Sequence, residues 1–375
     1  MKKVLIIIGF KQSTADPCLF IKKDEHGIIF LAIWVDDCYC LGNLKAIEEM
    51  LKKLKEHFNV KTEDNLSDYL SCEIVFNKEK TKALLGQPHL IKKMEKKFGD
   101  KVMEGQSYKT PGTPNQGLRQ PEGDTGMVSN EDQKVYRSGV GMLLYLAKQT
   151  RPDIQNAVRE LSKCMQKATP AAFKEMKRVI IHVLDTKEYG LKMEPVYESL
   201  KNWILLIYSD SDWAGDKDTR KSVTEFIIYL MNCPIIWRSK GQRAVALSSS
   251  EAEFYALSEA VKELKFLIHL LKTMGIPVEL PVIIRVDNIG AIFMAENAST
   301  SERTKHIDLR TSFVREMIVD KEVKIIFVKS EENKSDGLTK NLGSDLHNKH
   351  RATYVDKRNY WEEKKEEKDE KTDSE

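Results

Sequence analysis

The residues of this sequence with chemistry to offer are carboxylates that follow apolar runs. Residues 205–216, LLIYSDSDWAGD, pass from an apolar run into Asp210, Asp212 and Asp216, with Trp213 between them. A buried strand ending in carboxylates can hold a divalent cation over a sheet edge, because hard cations take oxygen ligands. A strand followed by a solvated acidic turn would read the same way. Three more acidic stretches follow at domain-sized intervals: 248–254 (SSSEAEF), 286–288 (VDN) and the pair Ser335-Asp336. Far upstream, Asp36 and Asp37 stand side by side in WVDD (34–37), between the apolar runs 28–35 and 38–41. Adjacent carboxylates between two strands suggest a cation site, and a solvated Asp-Asp turn is the alternative.

Elements must position these groups, and 375 residues suffice for two domains of ordinary size. A hydrophobic fraction of 41% supports real cores, and 31% charged residues point to a soluble globular protein. The net charge of +3, from 60 basic and 57 acidic residues, excludes a polybasic protein. Any nucleic-acid binding must therefore come from local patches. Cys18, Cys38, Cys40, Cys72, Cys164 and Cys233 form no CxxC pair, which fits a reducing compartment. The opening MKKVLIIIGFK imitates a signal peptide, but the run Val4–Ile8 is too short for an apolar h-region. No stretch approaches the roughly 18 apolar residues of a membrane span. The expectation is an intracellular protein of cytoplasm or nucleus, with no membrane partner.

Taken in order, residues 18–41 read as a hairpin around KKDEHG, and 45–58 as an amphipathic helix with Ile47, Leu51, Leu54 and Phe58 on one face. A second hairpin (70–76 and 83–85) and a helix (89–98) follow. Residues 99–130 are rich in Gly, Pro, Ser and Thr and read as a linker or surface loop. Apolar stripes predict helices over 135–148, 153–166 and 171–184, with Pro152 and Pro170 at helix starts. After a weakly structured stretch, 186–201, the periodicity turns to strands at 203–208, 225–230 and 234–237. A long helix then carries Ala256, Leu257, Ala260, Leu264, Leu267, Leu270 and Leu271 on one face. Strand 282–286, helices 289–297 and 306–319, strand 323–328 and a short helix at 333–340 complete a mixed sheet with helices on its faces. The residues from Lys357 onward are almost wholly charged and read as disordered.

Eight collinear motifs carry a resemblance: GFKQSTADPCLF (9–20), WVDD (34–37), YRSGVGMLLYLAKQTRPDI (136–154), YSDSDWAGD (208–216), VALSSSEAEFYAL (245–257), VDN (286–288), RTKHID (303–308) and DGLTK (336–340). In that order they resemble the C-terminal part of the copia-type retrotransposon Pol polyprotein, the end of its reverse transcriptase followed by its ribonuclease H. The resemblance implies a mixed α+β and α/β fold. Its parts are a partial reverse-transcriptase palm (1–98), a loop (99–130), a helical connection (131–185), a linker (186–202), a ribonuclease H-like domain (203–342) and a disordered charged tail (343–375). It also implies roles. Asp210, Glu253, Asp287 and Asp336 match the family's catalytic, metal-holding carboxylates. Glu251 is out of phase with Glu253, Asp216 falls to turn chemistry, and Asp212 is a doubtful neighbour. Asp36 and Asp37 match the polymerase Asp-Asp pair, with Trp34 in place of the usual tyrosine.

The implied reaction is hydrolysis of the RNA strand of an RNA–DNA hybrid. It needs an activated water and stabilisation of the leaving oxygen, which two Mg²⁺ ions about 4 Å apart supply, Mn²⁺ being a substitute. Trp213, Arg220, Lys221, Lys240, Arg303 and Lys305 offer phosphate or sugar contacts, with an ordinary solvated surface the alternative for each. His306 suits proton transfer or product release, or else capping and packing. Partners would be the hybrid and other retroelement polyprotein products. Several positions depart from the family. Cys72 stands in place of a glycine, and Ala298, Ser301 and Ser312 in place of proline, histidine and histidine. Only 35 residues precede Asp36, so the third palm carboxylate and the fingers are missing and polymerase activity is expected to be absent. The competing expectation is a truncated, non-catalytic remnant or a nucleic-acid-binding module.

Overall fold

The computed structural model describes residues 1–63, 71–102, 106–121, 123, 126–196, 202–297 and 305–358, without the side chains of 100–102 and 305–308. These residues fall into two compact units: Met1–Tyr69, Ser199–Trp203 and Lys262–Glu279 in one, Leu70–Glu198, Ile204–Val261 and Leu280–Glu375 in the other. Among the described residues no helix is long and apolar enough to cross a membrane.

In the first unit the signal-like opening is a short helix, α1 (Lys2–Ile7), with Leu5 fully buried. Strands β1 (Lys11–Gln12), β2 (Leu19–Asp24), β3 (Gly27–Trp34) and β4 (Asp37–Gly42) form an antiparallel sheet in that order. Helix α2 (Leu44–Lys55) packs Ala46, Met50 and Leu54 onto Phe20, Ile29 and Leu31. Gly27 closes the β2–β3 turn at φ +129°, and a Cβ there would lie 2.1 Å from the Asn43 amide. That amide accepts the Ile28 N–H at 2.9 Å. The predicted hairpin and helix are both present.

The second unit opens with the hairpin β5 (Glu73–Phe76) and β6 (Ala83–Gly86), then α3 (Pro88–Val102). Helices α4 (Asn130–Gln149), α5 (Gln155–Lys163) and α6 (Pro170–Asp185) follow, with strand β7 (Tyr189–Met193) after them. Ser129 and Thr169 cap α4 and α6 by accepting the N–H groups of Asp132 and Ala172. Tyr136, Val140, Leu143, Val158, Leu161, Met176 and Ile180 form the helical core. Between α4 and α5 the chain turns through a 3₁₀ turn, Pro152–Ile154, whose Asp153 pairs with the fully buried Arg151.

The sheet that carries the predicted carboxylates has the order β10-β9-β8-β11-β12. Strands β8 (Leu205–Asp212), β9 (Val223–Leu230) and β10 (Cys233–Gly241) run antiparallel. Helix α7 (Ser249–Thr273) returns the chain to β11 (Val282–Val286), parallel to β8. After α8 (Ile289–Glu296) and α9 (Lys305–Val319), β12 (Val323–Phe327) lies parallel to β11. This is the expected mixed sheet with helices. A 3₁₀ turn (Lys334–Leu338), α10 (Ser344–Arg351) and β13 (Val355–Lys357) end the described chain.

Three boundaries differ from expectation. A four-stranded antiparallel sheet, β13-β7-β6-β5, joins residues assigned to the palm, the 186–202 linker and the 343–375 tail. The palm segment therefore does not end at residue 98 as one body, because its second hairpin belongs to the second unit. The linker contains β7, whose Gly190 is required: a Cβ there would meet the Leu85 carbonyl at 2.6 Å. The described part of the tail, residues 343–358, is structured, with Tyr354 and Val355 buried against Tyr208, Ile227 and Tyr229. Arg358 closes this sheet with a two-pronged ion pair to Glu73 at 2.6 and 2.7 Å. Helix α3 runs four residues into the 99–130 segment, to Val102, and α4 begins at Asn130; the described residues between them are loop, but they are tied down. Glu175 accepts from Thr113, and Glu160 accepts the Leu118 N–H at 2.8 Å.

Candidate active site

Asp210 sits near the end of β8, because the apolar residues before it are buried as the central strand of the sheet and the chain surfaces just beyond. Glu253 lies one turn into α7. The start of that helix is fixed by a capping box: Ser248 Oγ accepts the Glu251 N–H at 3.1 Å, and Glu251 accepts the Leu247 N–H at 2.7 Å. Glu251 is thus occupied at the cap, in agreement with its phase. Asp287 follows β11 directly. Its neighbour Asn288 caps α8 through the Ala291 N–H at 3.0 Å and accepts from Ser250 Oγ at 3.1 Å, tying α8 to the first turn of α7. Gly290 makes this approach possible, since a Cβ would lie 2.3 Å from Ser250 Oγ.

These elements bring Asp210, Glu253 and Asp287 together, with potential ligand oxygens all within 4.8 Å of one another. Asp210 and Glu253 are buried, at 7% and 6% exposure. Ser211 holds one side of the site: its N–H and Oγ donate to Glu253 Oε1 at 3.1 and 3.0 Å, and its N–H also reaches Asp210 Oδ1 at 2.8 Å. Glu253 Oε2 is buried without a partner. Burial, and after it the charges of Glu253 and Asp287, push the Asp210 carboxyl well above its ordinary value. Burial and Asp287 push Glu253 up to about 8, against the Ser211 hydrogen bonds that pull it down. Like charges held this close call for a proton or a cation between them. The orphaned Oε2 and the all-oxygen donor set fit a hard divalent ion.

Asp336 is not part of this group of three. It lies in the 3₁₀ turn, 3.6 Å from His350 Nε2, and its backbone carbonyl accepts from Thr339 Oγ1 at 2.8 Å. Burial would raise its carboxyl, but the His350 hydrogen bond and the charge of Lys340 outweigh that and hold it below its ordinary value. Asp212 also stays outside the group, and burial raises it. Asp216 accepts the Thr219 N–H and hydroxyl at 2.8 and 2.9 Å and pairs with Lys163 at 3.0 Å. That is turn chemistry, as expected.

Asp36 and Asp37 stand exposed at the β3–β4 turn, beside Trp34 at 59% exposure and Val35 at φ +56°. Among the described residues neither belongs to a group of three potential metal ligands. Trp213 is half exposed and donates its ring N–H to the Ala246 carbonyl at 3.2 Å. Lys221 and Lys240 meet in a cleft of about 320 Å³ that Arg159, Lys163 and Gln242 also line. Arg220 is exposed at φ +55°. Arg303 lies outside the described residues, as do the side chains of Lys305 and His306.

Glu225 was not singled out in the sequence, although an acid inside the apolar run VTEFIIYL is itself a signal. It is fully buried on β9, directly opposite Asp210. Ser239 Oγ lies 3.3 Å from its Oε1, and Oε2 has no partner. Burial pushes its carboxyl well above the ordinary value, against the opposing charge of Arg159. Glu225→Gln, isosteric with the protonated acid, is expected to change unfolding free energy by less than about 1 kcal/mol in urea denaturation. Glu225→Ala is expected to cost about 2–3 kcal/mol through the cavity it leaves and the unpaired neighbours.

Residues 1–111 match the family model described as reverse transcriptase (RNA-dependent DNA polymerase). The chain is 31% identical to the retrovirus-related Pol polyprotein from transposon RE1 of Arabidopsis thaliana, over 91% of this chain and 22% of that protein. It is 30% identical to the corresponding polyprotein from transposon TNT 1-94 of Nicotiana tabacum, over 88% of this chain and 25% of that protein. A crystal structure of LC11-RNase H1 in complex with an RNA/DNA hybrid aligns at 14% identity and a TM-score of 0.28, over 36% of this chain and 92% of that one. The protein is thus a Pol-type chain with a reverse-transcriptase segment. It belongs to the copia-type retrotransposon Pol polyproteins and spans roughly a quarter or less of the length of these curated relatives.

Proposed function

We propose that the second unit is a divalent-metal-dependent ribonuclease H acting on the RNA strand of RNA–DNA hybrids. The observation that carries this reading is the convergence of Asp210, Glu253 and Asp287 within 4.8 Å. Mg²⁺, or Mn²⁺ in its place, would be held by these three and would supply Lewis-acid activation of water and of the scissile phosphate. The residues of the chain do the positioning. The end of β8 fixes Asp210 in a rigid sheet, and Ser211 aligns Glu253 so that Oε2 stays free. The ordered loop into α8 holds Asp287 opposite them. The hybrid is the proposed partner, together with other products of the retroelement polyprotein, inside the cell in cytoplasm or nucleus.

The test is a labelled hybrid incubated with the full chain and Mg²⁺. Cleavage of the RNA strand alone, lost in EDTA and absent with single-stranded RNA, is the expected result. A folded chain that leaves the hybrid whole in both Mg²⁺ and Mn²⁺ sinks the proposal. The hold of His350 on Asp336 favours a second reading, a non-catalytic module that binds hybrid without cutting it. His350→Gln separates the two. In the enzyme it frees Asp336 from a positioning partner and lowers hydrolysis about 10- to 100-fold, the usual cost of a lost outer partner. In the binding module there is no hydrolysis to lower, and the hybrid is bound and left whole with or without His350. For this chain alone we also propose no polymerase activity, since Asp36 and Asp37 stand exposed and, among the described residues, in no group of three potential metal ligands. Primer extension on an RNA template is expected to yield no product.

A further inference from the structure

We propose a second metal site, distinct from the carboxylate centre, in which Asp153, His182 and His347 hold one Zn²⁺. The three come from different elements: the 3₁₀ turn before α5, the last turn of α6, and α10. Their potential ligand atoms all lie within 4.8 Å of one another, and the residues are only 3%, 1% and 5% exposed. His182 Nδ1 lies 2.9 Å from the Tyr108 carbonyl oxygen. A carbonyl only accepts, so the proton sits on Nδ1 and Nε2 carries a bare lone pair. This second-shell contact is the kind that fixes the tautomer of metal-ligating histidines. His182 Nε2 is buried and has no partner, and neither has His347 Nε2. Two sequestered imidazole nitrogens and a carboxylate facing one point form an unfinished polar cluster, which a fourth partner would complete.

The donor set selects the ion. Two neutral imidazoles and one carboxylate suit a borderline-soft, four-coordinate cation, whereas Mg²⁺ asks for six oxygens. Arg151 grips Asp153 through Nε and Nη2 at 2.8 and 2.7 Å. Each carboxylate oxygen has a second lone pair, so Asp153 can serve both Arg151 and the ion. The guanidinium charge opposes the cation, and with only three protein ligands the site is weaker than a zinc finger. A Kd on the order of 1 µM is expected. The consequence is structural: the ion would clamp α10, which presents His350 to Asp336, onto the helical connection.

The experiment uses the full chain carrying Asp210→Asn and Glu253→Gln, so that the carboxylate centre does not compete. After chelation, Zn²⁺ titration is expected to show one equivalent bound and a rise in thermal midpoint. Co²⁺ in its place is expected to give the visible d–d bands of a tetrahedral nitrogen and oxygen site. His347→Gln and His182→Gln should each weaken Zn²⁺ binding by more than about 10-fold. Less than one equivalent at about 100 µM Zn²⁺ in this parent chain overturns the proposal without any histidine variant having to fold. A Co²⁺ spectrum dominated by thiolate charge transfer overturns it as well, because the ion would then sit on cysteine.

Discussion

Asp210→Asn is expected to abolish hybrid hydrolysis, by on the order of 10³-fold or more in kcat, and at the same time to stabilise the metal-free protein. The two effects come from the same contact. In the proposed active form, Asp210 would be one of three carboxylates around the cation, and an amide in its place would withdraw a full negative charge. Metal-assisted hydrolysis draws several kcal/mol of transition-state stabilisation from that centre, and each 1.36 kcal/mol is a factor of ten. Without metal, the same carboxylate lies buried against Glu253 and Asp287, and their charges, together with burial, resist its ionisation. Asparagine keeps the shape and removes the charge that burial and the two neighbouring carboxylates disfavour, so the metal-free variant is expected to be the more stable. Hybrid cleavage and urea denaturation in EDTA, run on the same preparations, check both halves. A variant that cuts within about tenfold of wild type ends the enzyme reading. A variant that is less stable than wild type in EDTA contradicts the electrostatic account of the site.

The candidate carboxylates were legible through the motifs that carry the resemblance, since the local pattern alone fits a solvated acidic turn as well. Asp210 and Asp287 follow buried apolar strands, and Glu253 lies in phase with the apolar stripe of α7. What could not be read was tertiary. β7 and β13 are short, five and three residues, and they are strands only because β6 and each other supply their hydrogen bonds. In the tail, one aromatic and one β-branched residue, Tyr354 and Val355, are buried amid charges, and a composition argument averages them away. Glu225 is silent for the opposite reason. An acid on a central strand contradicts the apolar run around it, and the pairing with Asp210 that gives it meaning depends on the β8–β9 register. Asp336 matched its motif, yet His350 and Thr339 decide where its carboxylate is held. His350 comes from a helix that the charged composition had concealed.

Between about pH 6.5 and pH 8, the metal-free protein is expected to lose stability as pH rises, and saturating Mg²⁺ is expected to remove most of that loss. Glu253 is held at about 8 when folded against an ordinary value of 4.5. Between those values the folded chain keeps a proton that the unfolded chain has released, so ΔG of unfolding falls by about 1.4 kcal/mol per pH unit for each such group. This contribution is fully present below pH 4.5 and is lost as pH rises through about 8. Below about pH 6.5 a second effect runs the other way. His182 and His347, held at about 4, are neutral when folded and take up protons when unfolded, so they favour the folded state as pH rises to 6.5. At 6.5 the unfolded histidines are still half protonated and offset part of the carboxyl contribution, and from about pH 7.5 that contribution stands alone. Over 1.5 pH units one proton amounts to about 2 kcal/mol, and Asp210, raised in the same direction, adds to it. Bound Mg²⁺ replaces these protons, and its affinity rises as they leave, which offsets the fall. Urea denaturation across this window with EDTA or Mg²⁺ reads the difference, and Glu253→Gln should flatten the EDTA curve. A metal-free protein that gains stability from pH 6.5 to 8 would show that the carboxyls are already ionised and held apart.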